Sequence, residues 1–409
     1  MGSGLMRKKK KKKKTNNKKK RPKVSRYPDW SKLSPDVLGK IFETLSSPID
    51  SHRAKTVCSN WYSVWKTCLH KPLYSLQIIH QGDSPTEEDQ TRKILGFTQR
   101  SYCMATFGSW LLMVEPGLKF CIFNSLTCEK IVLPSMESPI RGGKVTFKHN
   151  HMYDDGYFLR NGSRRDEVRY EFDSVEWKNS VAALWIDEVT GDYVVAWTYI
   201  QHYLFSYKKG DSSWCNLNHN RKSLVLFDMA CDKYKLYLYT ADHNIRFFDF
   251  SGKYPIEKKS ENRYWKHPFD YVEEEWEYVW KRKLAVRPSG EVLIILSLKL
   301  VLSEETLLFY IFGMNLESFK WERVDSIGDE MLCFGHGVTV PLAFKDLGGG
   351  TRSDTIFFVD KDVWPDHPDH DHRVSNCGVF DIVTGVVEWP KKLYRSMNGT
   401  QWFVWGVVY

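Results

Sequence analysis
Hydrophobic positions along this chain follow two different periods. Near the N-terminus, Val37, Leu38, Ile41, Phe42 and Leu45 recur at helical spacing and fall within a stripe about 140° wide. Ser34 supplies a candidate cap, Pro35 fits a first turn, and Asp36 favours the positive end of the helix dipole. "SSPID" then breaks the run, and Ala54, Val57, Cys58, Trp61, Tyr62, Val64 and Trp65 share an arc on a second helical run. Together they predict a helical module of about forty residues, Trp30 to Leu69, too small to be self-sufficient and rich in large apolar side chains. Part of its surface is therefore expected to dock on something else.

Beyond that module the pattern changes to strands. Five segments repeat an apolar strand, a gap, a second strand, a polar turn and a third strand. They begin at Trp110, Tyr193, Lys235, Val292 and Thr355. Their turns carry Asn124, Gly210, Ser251–Gly252, Asn315, and Asp381 with Gly385, residue types suited to tight or left-handed turns. Alternation shows at Ile245 and Phe247 and, in the other register, at Phe248 and Phe250; "VLIIL" at Val292–Leu296 reads as a strand buried on both faces. Irregular spacing of the turns, from 42 to 84 residues, means blade-like units with long insertions. The expected fold class is α+β multidomain: a small all-α module followed by an all-β domain, a β-propeller of five to seven blades, with a large β-sandwich as the rival. A sixth unit is expected to be composite, built from Leu73–Ile79 or from the terminal "QWFVWGVVY", with the last strand closing the ring.

Composition changes the picture at one end only. The formal charge is +9, but residues 1–26 hold fourteen Lys and Arg and no acid, so the remaining chain has 45 basic and 50 acidic residues. The basic run is Arg7, Lys8, Lys9, Lys10, Lys11, Lys12, Lys13 and Lys14, then Lys18, Lys19, Lys20, Arg21 and Lys23 after "TNN". Like charges without apolar residues predict disorder, and two split basic clusters suit nuclear import. Sixteen Trp, twenty-one Tyr and twenty-three Phe suit strands and wide cores. Nine cysteines without a CxxC pair read as reduced, mostly buried thiols of the cytosol or nucleus. No secretory signal is expected, so the sequons at Asn161 and Asn398 carry no weight. No apolar run approaches the ~18 residues of a membrane span.

Two families are resembled. "W-x-x-L-x-x-D-V-L-x-x-I-F-x-x-L" followed by "V-C-x-x-W" resembles the F-box, carried by Trp30, Leu33, Asp36, Val37, Leu38, Ile41, Phe42, Leu45, Val57, Cys58 and Trp61. The family commonly has Pro directly after Leu; here Ser34 stands there and Pro35 follows. "GSWLLMVEPGLKFCIFNSLTCEKIVLP", "LVLFDMACDKYKLYLYT" and "GVFDIVTGVVEWP" resemble the plant DUF 295, or KIB-type, domain. The expected division is a basic tail over 1–26, an F-box over 27–70 and the propeller over 71–409. The resemblance implies a substrate receptor of an SCF-type (Skp–cullin–F-box) ubiquitin ligase. Leu33, Pro35, Asp36, Val37, Leu38, Ile41, Phe42, Leu45, Val57, Cys58 and Trp61 would bind a Skp-type adaptor, which joins a cullin and a RING protein, while the propeller would hold a protein target. The alternatives are a nuclear scaffold bound to nucleic acid through its tail and, further off, a propeller-based enzyme.

Chemical motifs are sparse. No GxSxG, HExxH or P-loop occurs, and "KDLGGGTRSD" lacks the ending of a phosphate-binding loop. "WPDHPDHDHR" brings His367, His370 and His372 among aspartates, but its spacing fits no zinc finger. It reads as a solvated insertion, and neither a metal nor a cofactor is expected. With Trp364 as an aromatic anchor, these histidines make this loop a candidate for target binding, beside a second insertion at Ser297–Thr306. The acidic, aromatic "YVEEEWEYVW" at Tyr271–Trp280 offers a possible contact for a basic target, although a solvated face is the simpler reading.

Overall fold
The computed structural model describes residues 2, 30–45, 53–68, 75–80, 101–124, 127, 129–142, 145–150, 156–161, 180–199, 202–218, 224–300, 307–335, 338–341, 353–359, 375–393 and 400–405. The chain divides into two compact units, Met1–Cys68 and Leu69–Tyr409.

The first unit is helical. A 3-10 turn, Trp30–Lys32, precedes α1 (Pro35–Thr44), and α2 spans Ser59–Cys68. Pro35 opens α1, where its missing N–H leaves one fewer donor to satisfy. Ser34 caps with its carbonyl, which accepts the Leu38 N–H at 3.0 Å; its hydroxyl makes no cap bond, contrary to the side-chain cap expected. The second helical run also starts later than its apolar arc. Turn bonds from Thr56 to Arg53 and from Val57 to Ala54 place Ala54, Val57 and Cys58 ahead of α2. Leu38, Phe42, Trp61 and Val64 form the buried core of this unit, with Phe42 edge-on to Trp61 at 5.8 Å. Trp61 Nε1 donates to Trp30 O at 2.9 Å and Asn60 Nδ2 to Leu33 O at 2.9 Å, fastening the entry segment to α2.

The second unit is all strand among the described residues. β1 (Ser75–His80) leads into blade 1: β2 (Tyr102–Phe107), β3 (Trp110–Glu115), β4 (Lys119–Asn124) and β5 (Lys130–Val132). A hairpin of β6 (Val145–Asn150) and β7 (Gly156–Asn161) follows. Blade 2 is β8 (Ala182–Ile186), β9 (Tyr193–Tyr199), β10 (Tyr203–Lys208) and β11 (Cys215–Asn216). Blade 3 is β12 (Leu226–Asp232), β13 (Lys235–Thr240), β14 (Ile245–Asp249) and β15 (Ile256–Glu257). Blade 4 is β16 (Glu277–Val286), β17 (Val292–Leu300), β18 (Leu307–Met314) and β19 (Trp321–Arg323). Blade 5 contains β20 (Glu330–Cys333), β21 (Val338–Pro341), β22 (Thr355–Val359), β23 (Ser375–Asp381) and β24 (Val387–Leu393), in the order β21-β20-β22-β23-β24. β25 (Thr400–Trp405) pairs antiparallel with β1, from Ser75 opposite Trp405 to His80 opposite Thr400. The composite sheet expected from one end or the other therefore uses both.

The blades meet along one edge strand of each sheet. β2 lies beside β8, β8 beside β12, β12 beside β16, β16 beside β21, and β25 beside β2. Apolar cores fill the spaces between blades, and single strands feed two of them. In β14, Ile245 and Phe247 enter the core shared with blade 4, while Phe248 joins the core shared with blade 2. In β17, Val292, Ile294, Leu296 and Leu298 face blade 3, and Leu293 and Ile295 face blade 5. Burial on both faces is why Val292–Leu296 in β17 reads as a continuous apolar run. The β-sandwich alternative fails on this arrangement, since successive sheets stack side by side around a series, not as two opposed layers.

The first strand of each blade had no counterpart in the repeated pattern. The five apolar segments account for β3–β5, β9–β11, β13–β15, β17–β19 and β22–β24, and omit β2, β8, β12, β16, β20 and β21. The expected loop at Ser297–Thr306 is also too long at its start. Ser297 is fully buried and β17 runs on to Leu300.

Candidate functional site
In the helical unit, the stripe that looked like one interface splits in two. Leu38, Phe42 and Trp61 are buried in the unit's own core, with Leu33, Ile41, Leu45 and Cys58 packed against it. Pro35, Asp36, Val37 and Val57 are exposed. Val37 is 44% exposed, Val57 53%, and Trp30 57%, with Tyr62 also exposed. A helix pair cannot turn a 140° stripe wholly inward; the excess ends at the surface as apolar side chains. That geometry separates residues that build the unit from those that can touch a partner. The width of the stripe was the signal for this division, but its allocation needed the packing of α2. At the edge, Lys55 Nζ sits 4.1 Å from the Trp65 ring centre, and burial lowers the pKa of its ammonium.

On the propeller, the two target-binding candidates lie outside the described residues: Trp364, His367, His370 and His372, and the segment 301–306. So do the import residues from Arg7 to Lys23. The acidic, aromatic stretch is described, and it is half strand. Glu277 opens β16 as a buried carboxylate that accepts hydrogen bonds from Tyr271 Oη at 2.5 Å and Tyr310 Oη at 2.6 Å. Burial, and then the bond to Glu277, push both phenols above their ordinary pKa. Arg323 covers the Tyr310 ring at 4.0 Å. Glu273, Glu274 and Glu275 stay at the surface with Val272, Trp276 and Tyr278. Glu273 lies 3.5 Å from Arg282, which also stacks over Phe227 at 5.2 Å. The simple solvated face is thus only part of the stretch; its buried end ties the blade 3–blade 4 connector to β18.

Polar groups also tie blade to blade. Trp110 Nε1 donates to Glu188 Oε1 at 2.8 Å, Tyr234 Oη to Asp192 Oδ2 at 2.6 Å, and Arg287 Nε to Glu330 Oε2 at 2.7 Å. Asp228 on β12 accepts the Leu284 N–H at 2.8 Å and faces Lys283 Nζ at 3.4 Å, both on β16. Its burial pushes the carboxyl above the usual carboxylate range, against the opposing pull of Lys283. These are scaffold contacts, and they hold the surfaces of adjacent blades in fixed relation.

A family model described as the KIB1-4 beta-propeller matches residues 74–381, most of the chain and nearly all of the strand unit. The chain belongs to the KIB1-4 β-propeller family. Relatives from Arabidopsis thaliana extend the likeness through the helical unit. One, provisionally named an F-box protein, is 61% identical over 409 residues, covering 100% of this chain and 99% of its own length. F-box only protein 7 is 43% identical over 396 residues, 94% of this chain and 96% of that protein. F-box protein KIB4 is 32% identical over 347 residues, 79% of this chain and 80% of that protein. The chain is a plant F-box protein with a KIB-type propeller.

Proposed function
We propose that the protein is the target-recognition subunit of an SCF-type ubiquitin ligase. The F-box unit docks on a Skp-type adaptor and, through it, on a cullin and a RING protein. The propeller holds a protein whose lysines are then modified. The mechanism is proximity: tethering raises the effective concentration of a target lysine near charged ubiquitin, and no covalent step runs on this chain. The observation that carries this reading is the exposed apolar set Trp30, Val37, Val57 and Tyr62 on a helical unit whose buried core is Leu38, Phe42, Trp61 and Val64. Burial of each such side chain against a partner is worth about 1.5–3 kcal/mol.

The test uses the full chain with Val37→Asp and Val57→Asp together. Co-purification with a Skp-type adaptor is expected to be lost while helicity and the propeller's thermal transition are unchanged. Leu38→Asp is the contrasting variant, because it places charge in the unit's own core and loses helicity as well as binding. Adaptor binding retained by the double surface variant would remove the assignment. The split basic clusters between Arg7 and Lys23 support nuclear residence as part of the same proposal. Deleting residues 7–23 is expected to shift a fluorescent fusion out of the nucleus; unchanged accumulation there rejects that part.

A further inference from the structure
After β14 the chain runs from Ser251 to Phe269 along the outer side of blade 3 and into the space before blade 4, with only β15 as regular structure. This connector is anchored along its length. Buried Asn262 donates from Nδ2 to Ile245 O at 2.7 Å and accepts the Tyr264 N–H at 3.0 Å. The Tyr264 hydroxyl accepts the Val292 N–H at 3.1 Å, and Trp321 Nε1 donates to His267 O at 2.9 Å. The Phe269 N–H reaches His243 O at 2.8 Å. Tyr264 and Phe269 are themselves buried in the core between blades 3 and 4.

What such a rigid segment presents to water is positive. Lys253, Lys259, Arg263 and Lys266 are exposed, and among the described residues none has a carboxylate within ion-pair distance. The acids nearby are already engaged: Glu261 with Lys258 at 2.8 Å, and Glu257 with Arg246 at 2.6 Å. Residues 251–269 hold five basic and two acidic side chains, a net +3, whereas residues 27–409 as a whole sum to −5. The segment therefore runs against the net charge of the chain beyond its basic tail.

Its aromatic rings carry cations on their faces. Lys253 Nζ lies 5.5 Å and the Arg141 guanidinium 5.4 Å from the Tyr254 ring centre. Lys259 lies 4.8 Å from Trp265 and Arg263 5.0 Å from Tyr264. Rings covered in this way are poor platforms for stacked bases, which single-stranded nucleic acid needs. Ile256, more than half exposed, remains as apolar ground between the cations. Fixed cations interleaved with apolar side chains complement a peptide that carries carboxylates and aliphatic groups together.

We propose that Lys253–Lys266 is a docking surface for an acidic, leucine-bearing segment of the target protein. It rests on the receptor reading in assigning that segment to the target. The experiment measures fluorescence anisotropy of a short labelled peptide of Glu, Asp and Leu with the full chain at moderate salt. Replacing Lys253, Lys259, Arg263 and Lys266 together with Gln is expected to weaken binding about tenfold, the sum of four modest exposed charge contacts. A full chain with the lysines of residues 8–20 changed to Gln is expected to bind as the natural protein does, and a Gln, Asn and Leu peptide is expected not to bind. The inference is overturned if the fourfold variant binds the acidic peptide normally, or if the tail variant accounts for all the loss. It is equally overturned if an oligouridylate binds this surface more tightly than the peptide. Thermal melting of each variant separates lost binding from lost folding. Adaptor co-purification from the same preparations keeps the two readings apart: a chain that binds adaptor but not peptide sinks only the docking surface, and the reverse result sinks only the receptor assignment.

Discussion
One side-chain device recurs at the turns. Asn124 Oδ1 accepts the Thr127 N–H at 3.0 Å, Asp187 Oδ1 the Val189 N–H at 2.8 Å, Asn315 Oδ1 the Glu317 N–H at 2.9 Å, and Asp381 Oδ1 the Thr384 N–H at 2.8 Å. Each carboxylate or amide replaces a backbone acceptor where the chain reverses, so Asn124, Asn315 and Asp381 were legible as turns from their type alone, whereas Asp187 was not singled out. For Asp187 the Val189 N–H holds the carboxyl below the usual carboxylate range. Gly378 is different, because nothing local marks it. It sits on β23 opposite Phe358, whose ring lies where a Cβ would be, 2.2 Å away. Gly378→Ala is expected to force the Phe358 ring out of the blade 4–blade 5 core and to cost about 1–3 kcal/mol, read as a lower urea midpoint. The companion change Phe358→Leu should recover part of that loss in the double variant. Independent, additive effects would mean that the ring is not what the new methyl meets.

Buried thiols and phenols give the molecule a pH dependence at the alkaline end. Burial pushes the Cys121 thiol up to about 11 and the Cys333 thiol to about 12, and Tyr193 to about 12. In the unfolded chain thiols titrate near 8.5 and phenols near 10, so the folded protein keeps protons that the unfolded one releases. The associated stability is therefore complete below pH ~8.5 and is lost as pH rises towards these folded values. The thermal midpoint is expected to fall between pH 8 and 10.5, roughly the interval over which those unfolded groups ionise. A midpoint that held steady would show that these groups gain solvent without unfolding. Cys58, Cys103, Cys121, Cys215, Cys231 and Cys333 form no disulfide among the described residues.

At the scale of elements, strands facing two cores were readable and the strands along which the blades meet were not. β17 is apolar throughout because both of its faces are covered. β12 reads "LFDMACD" and β16 "EYVWKRKLAV", mixing charge into strand positions and hiding them from an apolar pattern. Those charges are placed by pairing between strands distant in sequence. Asp228 reaches Leu284 and Lys283 across the junction of β12 and β16, and without it a buried N–H and an ammonium lose their acceptor. Asp228→Ala is expected to cost about 3 kcal/mol in urea unfolding. Asp228→Asn should cost distinctly less, since an amide oxygen can still take the Leu284 N–H. Equal losses from the two changes would show that the backbone bond contributes nothing. In the helical unit the same distinction appears between Leu38, fully buried, and neighbouring Val37, at the surface.

For the whole molecule, the decisive pairing joins the two ends of the strand unit. β25 pairs with β1 and lies beside β2. Removing residues 400–409 would expose the edge of β1 and uncover one side of β2, leaving unpaired N–H and C=O groups ready to pair with another chain. The truncated protein is expected to show faster amide exchange in β2 and concentration-dependent aggregation, measured by hydrogen exchange and light scattering. Protection in β2 equal to that of the intact chain would mean that the composite sheet adds nothing to the ring.

By itself the sequence determined what depends on neighbours along the chain. The period of α1, the charge of the tail, the polar turns at Asn124, Asn315 and Asp381, and the doubly buried runs such as Val292–Leu296 were all local, and all needed only residue type and spacing. Tertiary structure alone decided what depends on contact between distant segments. It selected Val37 over Leu38 as exposed apolar surface, because only the packing of α2 decides which part of a wide stripe is covered. It recruited β12 and β16 as blade strands, because their buried charges are satisfied across blades. It joined Ser75 to Trp405 across nearly the whole chain. It also placed the exposed Lys253, Lys259, Arg263 and Lys266 on a connector whose Tyr264 and Phe269 are anchored in a core that exists only once blades 3 and 4 meet.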